Sequence, residues 1–159
     1  MKRIGVVDTT FARFDMGAAA VGQLKRLKKA SEKMRVKRVV VPGIKDLAVA
    51  AKVLLDEGFD IVLACGMVGS EPIDEQCAFV ADLGLQQAQV LAGRPILGVF
   101  VYEREARDEQ QLAWLMERRT EEHATNAYNL LYHPDVLLRQ AGTGQRQGFP
   151  DAGPIRVKR

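Results

Sequence analysis

Four times along its 159 residues the chain passes from a short β-branched run into a longer stretch with helical spacing, and this alternation constrains the fold more than any single residue does. The runs at 3–7, 36–41, 61–65 and 96–101 are rich in Val and Ile. The stretches at about 16–30, 45–57, 73–92 and 108–132 carry apolar residues at the three- and four-residue spacing of an amphipathic helix. Gly58 and Gly93 stand where helices end, and Pro134 stops the last one. Strands joined through helical crossovers run parallel, so the pattern predicts an α/β, three-layer arrangement: a parallel four-stranded sheet with right-handed connections and helices on both faces. At this length one core suffices, and no repeat or linker divides the chain. A single domain over residues 1–159 is expected. Its tail, about 142–159, reads as irregular and extended, with four glycines and two prolines in place of any periodicity.

The remaining global features exclude several function classes. The formal charge of +3 is too slight for a nucleic-acid partner, and Lys25, Arg26, Lys28 and Lys29 read as the solvated face of the first helix. The longest apolar run, residues 61–69, is far too short to span a bilayer, and MKRIGVVD enters a strand with no signal-peptide profile. A cytoplasmic protein without a membrane partner is expected. Cys65 in an apolar strand and Cys77 on a helix suit small buried hydrophobes in a reducing compartment. The chain has no GxGxxG, P-loop, HExxH, paired CxxC or GxSxG motif.

In an open parallel sheet, ligands collect at the carboxyl ends of the strands. The four connections that begin there, DTTFARFD, PGIKD, GMVGSEPIDEQ and YEREARD, hold an unusual share of the polar residues. Their side chains suit proton transfer and hydrogen bonding to a flat, polar ligand. The first connection needs neither its two phenylalanines nor its two acids merely to turn the chain.

Taken together, IGVVDTTFARFDM, VVPGIKDLAVAAK, IVLACGMVGSEPIDEQCAFVADLGLQQAQ, ERRTEEHATNAYNLL and AGTGQRQGFPDAGP closely resemble the archaeal-type riboflavin synthases over nearly the whole chain. That family is related to lumazine synthase and unrelated to the two-barrel riboflavin synthases of bacteria. The resemblance implies a flavodoxin-like, lumazine synthase-like sheet and a homopentamer with sites between neighbouring subunits. It implies a transferase reaction in which two molecules of 6,7-dimethyl-8-ribityllumazine exchange a four-carbon unit, giving riboflavin and 5-amino-6-ribitylaminouracil. No organic cofactor is needed, because the acidic methyl of the donor ring gives an anion delocalised into the ring itself.

The resemblance also assigns residues. Phe11 corresponds to the aromatic that stacks on the heterocycle, with Asp8, Thr9 and Thr10 bonding polar ring edges or the ribityl chain; the competing reading makes Phe11 core and Asp8 or Thr9 a turn former. Phe14 has the weaker claim to a ring contact. Pro42, Gly43, Ile44, Lys45 and Asp46 form the second binding segment, in which Asp46 either grips ribityl hydroxyls or caps the second helix. Gly66, Met67 and Val68 complete the substrate-binding set from the third strand's end. Glu71, Asp74 and Glu75 suit the positive end of the third helix, repel a phosphate from it, and leave room for a divalent cation such as Mg2+. On the fourth helix Arg119 is a substrate-binding candidate, Asn126 lies one turn from His123, and His123 is the candidate proton-transfer group, with Glu71 and Asp74 as the other catalytic candidates. His133 reads as helix-end chemistry. Where the family pattern has CAHEASLGL and FVHEDEA, this chain has CAFVADLGL and FVYEREA, so Phe79, Val80 and Tyr102 replace polar or ionisable residues. Three readings stay open: riboflavin synthase, lumazine synthase, and a non-catalytic flavin- or lumazine-binding pentamer.

Overall fold

A computed structural model describes residues 1–157. Its elements are β1 (Lys2–Thr9), α1 (Met16–Leu27), β2 (Met34–Val41), a 3-10 turn (Ile44–Asp46) leading into α2 (Leu47–Asp56), β3 (Ile61–Val68), α3 (Pro72–Ala92), β4 (Ile96–Tyr102), a second 3-10 turn (Glu103–Glu105), α4 (Glu109–Tyr132) and α5 (Pro134–Gln140). The four strands are parallel in the order β2-β1-β3-β4. The α/β, three-layer arrangement with a four-stranded parallel sheet is therefore the observed fold.

Alternation along β1 divides the interior in two. Ile4 and Val6 face α1 and α4 in a cluster with Leu63 and Met116, while Val7 faces α2 and α3 with Leu54, Phe59 and Leu85. The central β3 is buried at every position, which is why its sequence reads as a continuous apolar run instead of an alternating one. No helix among the described residues is long and apolar enough to cross a membrane.

Three differences from the sequence reading have physical causes. β3 continues past Cys65 to Val68, because Gly66, Met67 and Val68 still pair with Phe100, Val101 and Tyr102 of β4. Gly66 serves there as a point of close approach: a Cβ would lie 2.6 Å from Ile44 Cγ2 in the first 3-10 turn. Pro134 ends α4 and also begins α5, at the first-turn position where its missing N–H costs nothing. The tail is irregular but folds back instead of extending: Ala152 donates to Gly144 O at 2.8 Å, and the Arg146 amide donates to Asp151 Oδ1 at 3.0 Å. Residues 158 and 159 of the predicted tail lie outside the described residues.

Candidate active site

A cleft of about 360 Å³ opens where β1, β2 and β3 end, on the side of the sheet that carries α2 and α3. Phe11, Pro42, Gly43, Ile44, Lys45, Asp46, Met67 and Asp74 line it, together with Gly69 and Cys77. Parallel strands deliver all three connections to the same end of the sheet, so residues from three distant stretches of sequence meet without any long excursion. Phe11 stands at this cleft with 52% of its surface in solvent. Two carboxylates flank it, each fixed by its own connection. Asp46 Oδ2 accepts from the Gly43 amide at 2.9 Å, and Asp74 Oδ2 accepts from the Glu71 amide at 3.2 Å. Each retains acceptor capacity for a ligand hydroxyl or ring N–H.

The other sequence-derived candidates are distributed around this cleft or away from it. Thr10 lies on the adjoining surface, where its hydroxyl donates to Pro42 O at 3.2 Å. Thr9 is buried, with a hydroxyl that has no partner among the described residues. Gly66 and Val68 are buried beneath the cleft, while Glu71 is exposed and does not line it. Glu75 pairs with Arg104 at 2.7 Å. Asp8 is only 3% exposed and spends its carboxylate on Arg38, at 2.8 and 2.6 Å. Phe14 packs against the α1 and α4 side of the core.

Arg119 and His123 lie on α4, and neither lines this cleft within one chain. Arg119 is buried and grips Glu105 with two nitrogens at 2.8 and 2.7 Å, while also donating to Phe100 O and to Gln147 O of the tail. Burial opposes ionisation of Glu105, but the Arg119 guanidinium and the Tyr102 amide outweigh it and hold the carboxyl below its ordinary range. His123 has no hydrogen-bonded partner of this kind among the described residues, only the neighbouring charge of Glu122. Burial, reinforced by the charge of Arg119, pushes its pKa down to about 4, so the imidazole is neutral at pH 7. Asn126 opens instead on a polar cavity of about 240 Å³ between α4 and the tail. His133 joins the two last helices: its amide donates to Asn129 O at 2.9 Å, and Nε2 lies 3.4 Å from Glu32 Oε1.

Among the described residues no group of three or more His, Cys, Asp or Glu side chains converges as a metal site. Asp46 and Asp74 supply two carboxylates to the cleft and Cys77 a thiol, but among the described residues the three do not come together as a metal site. Cys65 is fully enclosed, with its thiol pKa pushed up chiefly by burial, which makes it inert. Phe79 and Val80 lie exposed on α3, and Tyr102 ends β4 with the Arg104 guanidinium over its ring.

Residue-by-residue reading missed the Arg38 link to Asp8 and Asp15, and the contributions of Gly69 and Cys77 to the cleft. A signal for the first was present: Asp8 sits at an inward position of a central strand, where a carboxylate requires a cation, and Arg38 projects from the neighbouring strand on the same face. Cys77 follows Asp74 by three positions on α3, which puts both on one side of that helix.

The family model described as 6,7-dimethyl-8-ribityllumazine synthase matches residues 1–134. The riboflavin synthase of Methanothermobacter thermautotrophicus is 48% identical over 156 residues, covering 98% of this chain and all of that protein. The riboflavin synthase of Archaeoglobus fulgidus is 44% identical over 154 residues, covering 96% of this chain and 98% of its own. A 6,7-dimethyl-8-ribityllumazine synthase of Clavibacter michiganensis is 45% identical over 58 residues, about a third of either chain.

Proposed function

The chain belongs to the 6,7-dimethyl-8-ribityllumazine synthase family, and on that premise we propose that it is an archaeal-type riboflavin synthase, converting two molecules of 6,7-dimethyl-8-ribityllumazine into riboflavin and 5-amino-6-ribitylaminouracil. The observation that carries this reading is the end-to-end match to proteins of that activity in a chain whose strand-end cleft combines an exposed aromatic face with two carboxylates.

In this reading Phe11 stacks on one lumazine ring and Asp46 accepts hydrogen bonds from ribityl hydroxyls. Holding two identical heterocycles face to face turns their encounter into a local event, an effect worth up to about 7–11 kcal/mol of the barrier. Asp74, at the first turn of α3, and the neighbouring Glu71 and Glu75 disfavour a phosphate at a helix end that otherwise attracts one, so the preferred ligand is unphosphorylated. We assign proton transfer to His123, which is neutral at pH 7 and acts on the cleft of an adjoining subunit, with Glu71 and Asp74 as the alternative at the cleft's own rim. The cytoplasmic location and the homopentamer belong to the same proposal. The absence of an organic cofactor belongs to the proposal too, and a divalent cation such as Mg2+ would find the carboxylates of Asp46 and Asp74 at the cleft.

Incubating the purified protein with the ribityllumazine alone tests the reading. Growth of riboflavin fluorescence, compared with and without Mg2+, is the expected result. Activity only on addition of a phosphorylated co-substrate identifies a lumazine synthase, and tight binding without turnover identifies a flavin- or lumazine-binding protein.

A further inference from the structure

The connection that carries Phe11 is pinned at both ends, and one side chain holds both pins. Arg38 projects from β2 onto the face of the sheet that carries α1, opposite the cleft. Its Nε and Nη2 meet the two oxygens of Asp8 at 2.8 and 2.6 Å, near the end of β1, and Nη2 also meets Asp15 Oδ1 at 2.5 Å. Asp15 in turn caps α1, accepting from the Ala18 amide at 2.9 Å. The helix sits directly on this cluster: a Cβ at Gly17 would collide with Arg38 Nε and with the Asp8 carboxylate. The residues between Asp8 and Asp15, Phe11 among them, therefore run between two fixed carboxylates held by one planar guanidinium.

We propose that Arg38 is a positioning residue for ligand binding, acting through Asp8 and Asp15 to hold the Phe11 ring at the cleft without touching the ligand. The inference rests on the ring-binding assignment of Phe11. A planar fork that addresses two carboxylates fixes their separation and orientation, which a point charge does not do. Other contacts hold the segment on either side of the ring: the Thr10 bonds to Val41 and Pro42 secure its start, Ala12 and Phe14 pack against the core beyond it, and the Arg13 pairs with Glu103 and Glu109 are exposed; of these, none fixes the separation of Asp8 and Asp15 as Arg38 does.

A binding cycle tests the proposal, with affinity for 6,7-dimethyl-8-ribityllumazine read from quenching of the ligand's own fluorescence. Arg38→Met is expected to weaken binding about tenfold and to raise KM in parallel while kcat stays within about threefold, the signature of a displaced binding element. Arg38→Lys is expected to recover only part of the loss. In a Phe11→Ala background Arg38→Met is expected to add less than about twofold, because the ring it positions is gone. If Arg38→Met does not fold, the exposed Asp15→Asn takes its place in the same cycle, with an expected loss of about threefold. Full additivity with Phe11→Ala, or a fall in Vmax at unchanged KM in step with the folded fraction, overturns the positioning role. Phe11→Ala with wild-type affinity overturns it together with the ring assignment. A wild-type protein that binds the lumazine without turnover, yet shows the coupled cycle, removes only the synthase reading and supports the positioning role.

Discussion

Phe11 leaves half of its surface in solvent beside a cleft, so its ring is open to a flat ligand. Phe11→Ala is accordingly expected to weaken lumazine binding by about 1–3 kcal/mol, measured by titration, with a smaller effect on the chemical step. His123 makes a different claim. Its pKa in the folded chain, about 4, lies below the ordinary 6.5, so between these values the unfolded chain binds a proton that the folded chain refuses. The stability contributed by the neutral, partly buried ring is complete above pH 6.5 and is lost as pH falls toward 4, an effect on the order of 3 kcal/mol at most. In His123→Gln this part of the pH dependence is expected to disappear, which urea midpoints of both proteins between pH 4 and 7 will check; parallel curves would refute the burial. That Phe11, Asp46 and Asp74 meet at one cleft was legible from sequence, because the connections after parallel strands open at one end of the sheet; the roles given to Phe11 and Asp46 came from the family resemblance. The environment of His123 was not legible. A helix of this length presents several faces, and which one is buried depends on partners from α1 and the tail that carry no local signature.

At the scale of elements, the strands and crossovers were readable because periodicity is a property of neighbouring residues. The joints between elements were less so. The Arg119 pair with Glu105 links α4 to the turn after β4, and the same guanidinium holds the tail through Gln147 O and lies over the Phe149 ring. Nothing in either stretch of sequence announces that pairing. Glu105→Gln leaves a buried guanidinium with its charge unmatched and is expected to lower stability by about 3 kcal/mol. It should also loosen the tail, so limited proteolysis within residues 144–153 is expected to accelerate more than the global loss explains. An unchanged cleavage rate would show that the tail is held by its other contacts, such as the Gly148 amide on Glu122.

For the whole molecule, the outward faces of α2 and α3 expose an unusual amount of apolar surface: Val49, Phe79, Leu83, Val90 and Leu91 are each more than half exposed. A closed head-to-tail ring covers such a face on every copy, in agreement with the proposed homopentamer. Light scattering is expected to give five subunits for the wild type and a smaller species for Leu83→Asp, with activity falling alongside; a stable wild-type monomer at micromolar concentration would remove the ring and the shared site together. The strand order β2-β1-β3-β4 reaches further, into the order of events during synthesis. If the strands assemble in chain order, β1 becomes a central strand, β2 joins one of its edges, β3 the other, and β4 the free edge of β3. Every strand thus arrives at an edge already waiting for it, and none has to be inserted between two that are paired. In a circular permutant beginning at β2, β1 is made last and has to enter between β2 and β3, so the fraction folded at the end of cell-free synthesis is expected to be lower for that chain than for the natural order at matched stability.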